Sequence, residues 1–116
     1  MEGNELTDLK QKLQASMTAA LKAKDAVSTA AFRTALAAIA NAEAVESLGE
    51  GRPALGIGAR EMPRRPLTED QMEAIVRREV VDMDAAAADY ESRGRRDDAR
   101  RLRDQSGALQ KLLGQN

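Results

Sequence analysis

LTEDQMEAIVRREVVDMDAAAADYESRG, residues 67–94, is the stretch on which the fold turns. Thr68 is a good helix N-cap, and Gln71 three residues later completes a capping box. Leu67 before the cap and Met72 after it have the spacing of a hydrophobic staple. Met72, Ile75, Val76, Val80, Met83, Ala87 and Tyr90 then recur at helical intervals, so one face is apolar. Gly94 is the natural stop. The stretch therefore predicts a helix over 68–93.

The same periodicity extends outward. Leu6, Leu9, Leu13, Met17 and Leu21 predict a helix over 5–24. Phe32, Leu36 and Ile39, beside the small residues Ala31, Ala35, Ala38 and Ala42, predict a second over 26–48, with Gly49 as its terminator. Ala99, Leu102, Ser106, Leu109 and Leu113 predict a last helix over 97–113, capped by Asp97 or Asp98. Residues 49–66 hold all three Pro and four of the eight Gly, which reads as a long flexible loop. There is no fixed-period repeat. Runs of alternating β-branched or aromatic residues are absent. The expectation is a single all-α domain over 1–116, a four-helix bundle-like arrangement.

Composition narrows the function more by exclusion than by indication. The 116 residues include 18 Lys+Arg and 19 Asp+Glu, a net charge of -1, so nucleic-acid binding would have to rest on a local patch. Without Cys or His there is no thiol nucleophile, disulfide or imidazole chemistry, and no metal site or cofactor is expected. Of the residues 22 are Ala, while Leu, Ile, Val and Phe together number 21, so the core must be thin and a partner would help it. With no long apolar run and no signal-peptide pattern, a soluble cytoplasmic protein is expected.

No P-loop, nucleophile elbow, zincin or dinucleotide fingerprint occurs, and no catalytic residue is assigned. Asp82 and Asp84 lie two apart on a helix and make a poor carboxylate dyad. The basic residues are more suggestive. Arg93, Arg95, Arg96, Arg100, Arg101, Arg103 and Lys111 face only Asp97, Asp98 and Asp104 in the same segment. Arg93, Arg95 and Arg96 surround a helix–turn–helix junction and have the chemistry to hold phosphate. Arg100, Arg101 and Arg103 read first as solubilising residues on a helix whose first turn carries compensating Asp. Lys22 and Lys24 suit the C-terminal end of their helix. Arg33 can pair with a carboxylate or reach a ligand. Arg77 has an i,i+4 partner in Glu73, and Arg78 stands beside it.

Taken in order, the stretches Met17 to Asp25, Phe32 to Glu43, Leu67 to Asp70, Arg77-Arg78-Glu79 and Tyr90 to Ala99 resemble the GatB/YqeY family. The resemblance covers about residues 6–113. It is closest to the stand-alone YqeY-type proteins, which are similar to the C-terminal tail of the B subunit of glutamyl/aspartyl-tRNA amidotransferase. The resemblance implies an all-helical fold and a tRNA-contacting module without catalytic residues. An amidotransferase (carbon–nitrogen ligase) label would come to it by similarity alone. The matching basic positions are Lys22, Lys24, Arg33, Arg77, Arg78, Arg93, Arg95 and Arg96. Three departures stand out. Asp82, Met83, Asp84 and four Ala follow Glu79 where the family has further basic residues. The last helix ends Leu112-Leu113-Gly114, so the family's second small helical subdomain is expected to be lacking. The 49–66 loop is also longer than the family's connection.

Two functions follow as expectations. One is a non-catalytic module that assists a tRNA-dependent process, tRNA-linked amidation, by binding tRNA or its amidotransferase- or synthetase-type enzyme. The other is a protein-interaction or homo-oligomerising bundle with no nucleic-acid role.

Overall fold

Leu9 to Lys22 (α1), Ala26 to Gly51 (α2), Glu69 to Ser92 (α3) and Arg96 to Leu113 (α4) form an all-α domain in the computed structural model, which describes residues 9–51 and 67–114. No strand occurs among the described residues. α1 packs antiparallel on α2, and α3 on α4, each pair joined by a tight turn. α2 bridges the hairpins by lying against both α3 and α4. The start of α1 is tied to α3 where the Leu9 backbone N–H donates to the Glu69 carboxylate at 3.0 and 3.1 Å. The Lys10–Glu43 ion pair at 2.9 Å ties it to α2.

The core is as thin as the composition requires. Leu13, Ile39, Val76 and Leu109 are wholly buried, and Leu9, Phe32, Met72, Met83 and Leu112 nearly so. Ala20, Ala31, Ala35, Ala87 and Ala99 fill the closest approaches. The two buried hydroxyls are satisfied: Thr29 donates to the Asp25 carbonyl at 2.8 Å, and Ser106 accepts from the Gln110 amide at 2.9 Å. This matters because an unpaired buried polar group costs about 1–3 kcal/mol.

α3 begins as expected. The Thr68 side chain accepts from the Gln71 N–H at 3.0 Å, and the Gln71 side chain accepts from the Thr68 N–H at 2.8 Å. This reciprocal box places Leu67 against the core that contains Met72.

Other boundaries differ from the sequence expectation. α1 ends at Lys22 rather than 24, because Lys24 turns to φ 60° and stops it. Residues 5–8 of that expected helix lie outside the described residues. The apolar stripe leaves the core before Leu21, which is exposed, and Ala20 is buried in its place. α2 passes through Gly49 and continues to Gly51, so three residues of the expected 49–66 loop are helical; the remainder lies outside the described residues. α3 ends at Ser92, one residue early. α4 starts at Arg96, before either expected cap, with Arg95 as its N-cap. Asp97 and Asp98 instead occupy its first turn, where negative charge suits the helix dipole. Leu112 is buried on α4, and Leu113 is half-buried beside it.

Candidate nucleic-acid interface

Two turns carry most of the basic residues singled out above, and both have the same backbone. In the first, the Lys24 N–H donates to the Leu21 carbonyl at 3.1 Å and the Asp25 N–H to that of Ala20 at 2.9 Å. In the second, the Gly94 N–H donates to the Glu91 carbonyl at 3.0 Å and the Arg95 N–H to that of Tyr90 at 2.9 Å. This is the Schellman closure, whose penultimate residue must adopt the left-handed conformation. Lys24 does so at φ 60° and Gly94 at φ 78°. The residue that ends each closure also begins the next helix, since Thr29 donates to the Asp25 carbonyl and Ala99 to that of Arg95.

The second turn is dense in charge, and most of its arginines are already engaged. Arg93 pairs with Asp89 at 3.1 Å. Arg95 pairs with Asp98 at 2.7 Å and lies over the Tyr90 ring, 5.1 Å from its centre. Arg101 takes the other oxygen of Asp98 at 3.5 Å. Arg103 bonds Glu91 in the bidentate manner, Nε to Oε2 at 3.1 Å and Nη2 to Oε1 at 2.9 Å. That pair holds the Glu91 carboxyl below its usual range and keeps Arg103 charged. Asp84 approaches Arg103 at 3.9 Å.

Arg96 and Arg100 differ from these. Both are exposed, and neither has an ion-pair partner among the described residues. With Arg103 and Glu91 they line an open groove on the α3–α4 hairpin. Positions 96, 100 and 103 recur at helical intervals, so the three guanidinium groups stem from one side of α4. Arg96 to Arg103 spans about 10 Å along the helix axis.

The eight expected positions therefore do not form one site. Arg95 and Arg96 flank the start of α4, but only Arg96 lines the groove. Arg93 caps the end of α3 through its own N–H. Arg77 and Arg78 lie further back on α3 and pair with Glu73 at 2.7 Å and Asp82 at 3.2 Å. Arg78 to Ser92 is about 21 Å of helix. Lys22 and Lys24 belong to the first turn, next to a separate groove lined by Asp25, Ser28, Phe32 and Lys111. Arg33 is exposed on α2 without an ion-pair partner among the described residues.

Arg100 and Arg103 fall outside the eight positions expected from sequence, and the helical interval 96/100/103 is the signal that groups them with Arg96. The acidic residues of α3 form no site of their own: Asp82, Asp89 and Glu91 each pair with an arginine. The Glu79 carboxyl is pushed up first by burial and then by the neighbouring charge of Asp82.

Among the described residues no helix is long and apolar enough to cross a membrane. No family model, no curated protein and no solved structure matches the chain.

Proposed function

We propose that this protein is a non-catalytic helical module that holds the phosphate backbone of tRNA and so assists a tRNA-dependent process. The supporting observation is the row Arg96, Arg100, Arg103 along one groove, with two of the three guanidinium groups uncommitted to any described carboxylate. Arginine suits this task because its planar fork matches phosphate oxygens. The resemblance to the GatB/YqeY family supplies tRNA as the partner. Contacts of this kind position a backbone and read no bases. The lone ring near the groove, Tyr90, is occupied by Arg95, so base stacking has no free platform there.

Fluorescence anisotropy with labelled tRNA at 50 and 200 mM salt tests the reading, with duplex DNA as the control for unspecific polyanion binding. Native protein should bind, bind more weakly at high salt, and prefer tRNA to duplex DNA. Arg96→Ala/Arg100→Ala should lose most of that affinity. No binding at 50 mM, or unchanged binding by the double variant, refutes it.

The second reading, a protein-interaction or self-associating bundle, draws on Val45 and Val81. These stand exposed, at 66% and 59%, on the alanine-rich outer faces of α2 and α3. It requires a melting temperature that rises with protein concentration.

A further inference from the structure

We infer that Glu91 is a built-in competitor for the nucleic-acid backbone: its carboxylate occupies Arg103 in the free protein and is displaced by phosphate when the groove fills. The inference rests on the phosphate-binding reading of the groove and concerns its regulation.

Glu91 is the sole anionic side chain among the four residues that line the groove. It does not sit passively beside the arginines. Both of its oxygens are bonded to the Arg103 fork, at 2.9 and 3.1 Å, in the geometry a phosphate would adopt. Arg103 is therefore the one member of the row whose donors are already directed at an oxyanion. Both partners are about half exposed, so the pair is solvated and exchanges at little cost. The residues belong to different helices, Glu91 to the last turn of α3 and Arg103 to the middle of α4. Neither side chain belongs to the core, so displacing the pair does not unseat any core residue.

The arrangement has a consequence for the ligand. Arg96 and Arg100 are open to a first phosphate, while Arg103 yields only to an anion that outcompetes a tethered carboxylate. A run of phosphates anchored at Arg96 and Arg100 presents the next one at high effective concentration. An isolated phosphate has no such advantage. The groove is thereby biased towards a chain of phosphates over a single one.

Removing the competitor should release the third contact. In the anisotropy titration, Glu91→Gln should bind tRNA roughly threefold or more tightly at 50 mM salt. Its log–log salt slope should match that of native protein, because phosphate reaches Arg103 in both complexes. Glu91→Gln/Arg103→Ala should lose the gain, and its slope should be shallower by about 0.7–0.9, the decrement for one lost phosphate contact. Asp104→Asn removes a nearby negative charge outside the groove and should leave the affinity nearly unchanged. An unchanged affinity in Glu91→Gln overturns it while leaving the function intact, provided Arg96→Ala/Arg100→Ala still loses most of the binding. A gain that persists in Glu91→Gln/Arg103→Ala also overturns it, because the effect is then one of overall charge. Absence of binding by native protein and Glu91→Gln alike refutes both readings.

Discussion

The two helical turns reach one backbone geometry by opposite allocations of residues. The first puts an unsuitable residue, Lys24, at the left-handed position and a good N-cap, Asp25, after it. Asp25 accepts from the Ser28 N–H at 3.0 Å and from the Ser28 hydroxyl at 2.8 Å. The second puts Gly94 at the left-handed position and follows it with Arg95, which offers α4 no side-chain cap. Each turn thus satisfies one requirement well and the other badly. For the proposed binding role the difference matters: the first turn uses its side chains for capping, whereas the second leaves the start of α4 to arginine.

The broadest way to break the comparison lies in the core. Ile39 of the first hairpin and Leu109 of the second are both wholly buried. Replacing either by Ala should cost about 3 kcal/mol in denaturant unfolding, and by similar amounts. A cost confined to one variant would mean that the hairpins do not unfold together.

Smaller effects sharpen it at the turns. Gly94→Ala meets no atom within 4 Å, so any cost is backbone strain alone, about 1–2 kcal/mol. Lys24→Gly should go the other way and stabilise by about 0.5–1 kcal/mol, the relief of strain being partly offset by a freer unfolded chain. If both variants destabilise, Lys24 is held by something other than the turn.

Asp25 adds a pH dependence. Its carboxyl is held below the usual range by the Ser28 N–H first and the Ser28 hydroxyl second. A lowered folded pKa contributes stability that is full above the unfolded value and is lost as pH falls through the folded one. Asp25→Ala should therefore melt a few degrees below native protein at pH 7. The gap should close once pH drops well under about 4. A gap that persists in acid would show that the capping charge is not its source.

How far each feature was legible follows from how local its cause is. α3 was readable because Thr68, Gln71 and an unbroken apolar face agree within a few residues. α4's start was not, because Asp97 and Asp98 are better caps by type than Arg95. The Schellman closure at Gly94 nonetheless fixes the chain direction and begins the helix earlier. Gly49 failed as a stop since a glycine ends a helix only where the next groups form a closure. At the candidate site, the basic segment is visible in the sequence, but which arginines are paired is not. Arg93 and Arg95 are committed to Asp89 and Asp98, whereas Arg96 and Arg100 have no such neighbour on the correct face.

The most direct test sets one turn against the other. Lys22→Ala/Lys24→Ala and Arg96→Ala/Arg100→Ala remove the same charge from opposite hairpins. Titrated against labelled tRNA at 50 mM salt, the arginine variant should lose most of its affinity and the lysine variant should keep nearly all of it. Equal losses, or a larger loss at the first turn, would contradict a binding surface on the α3–α4 groove.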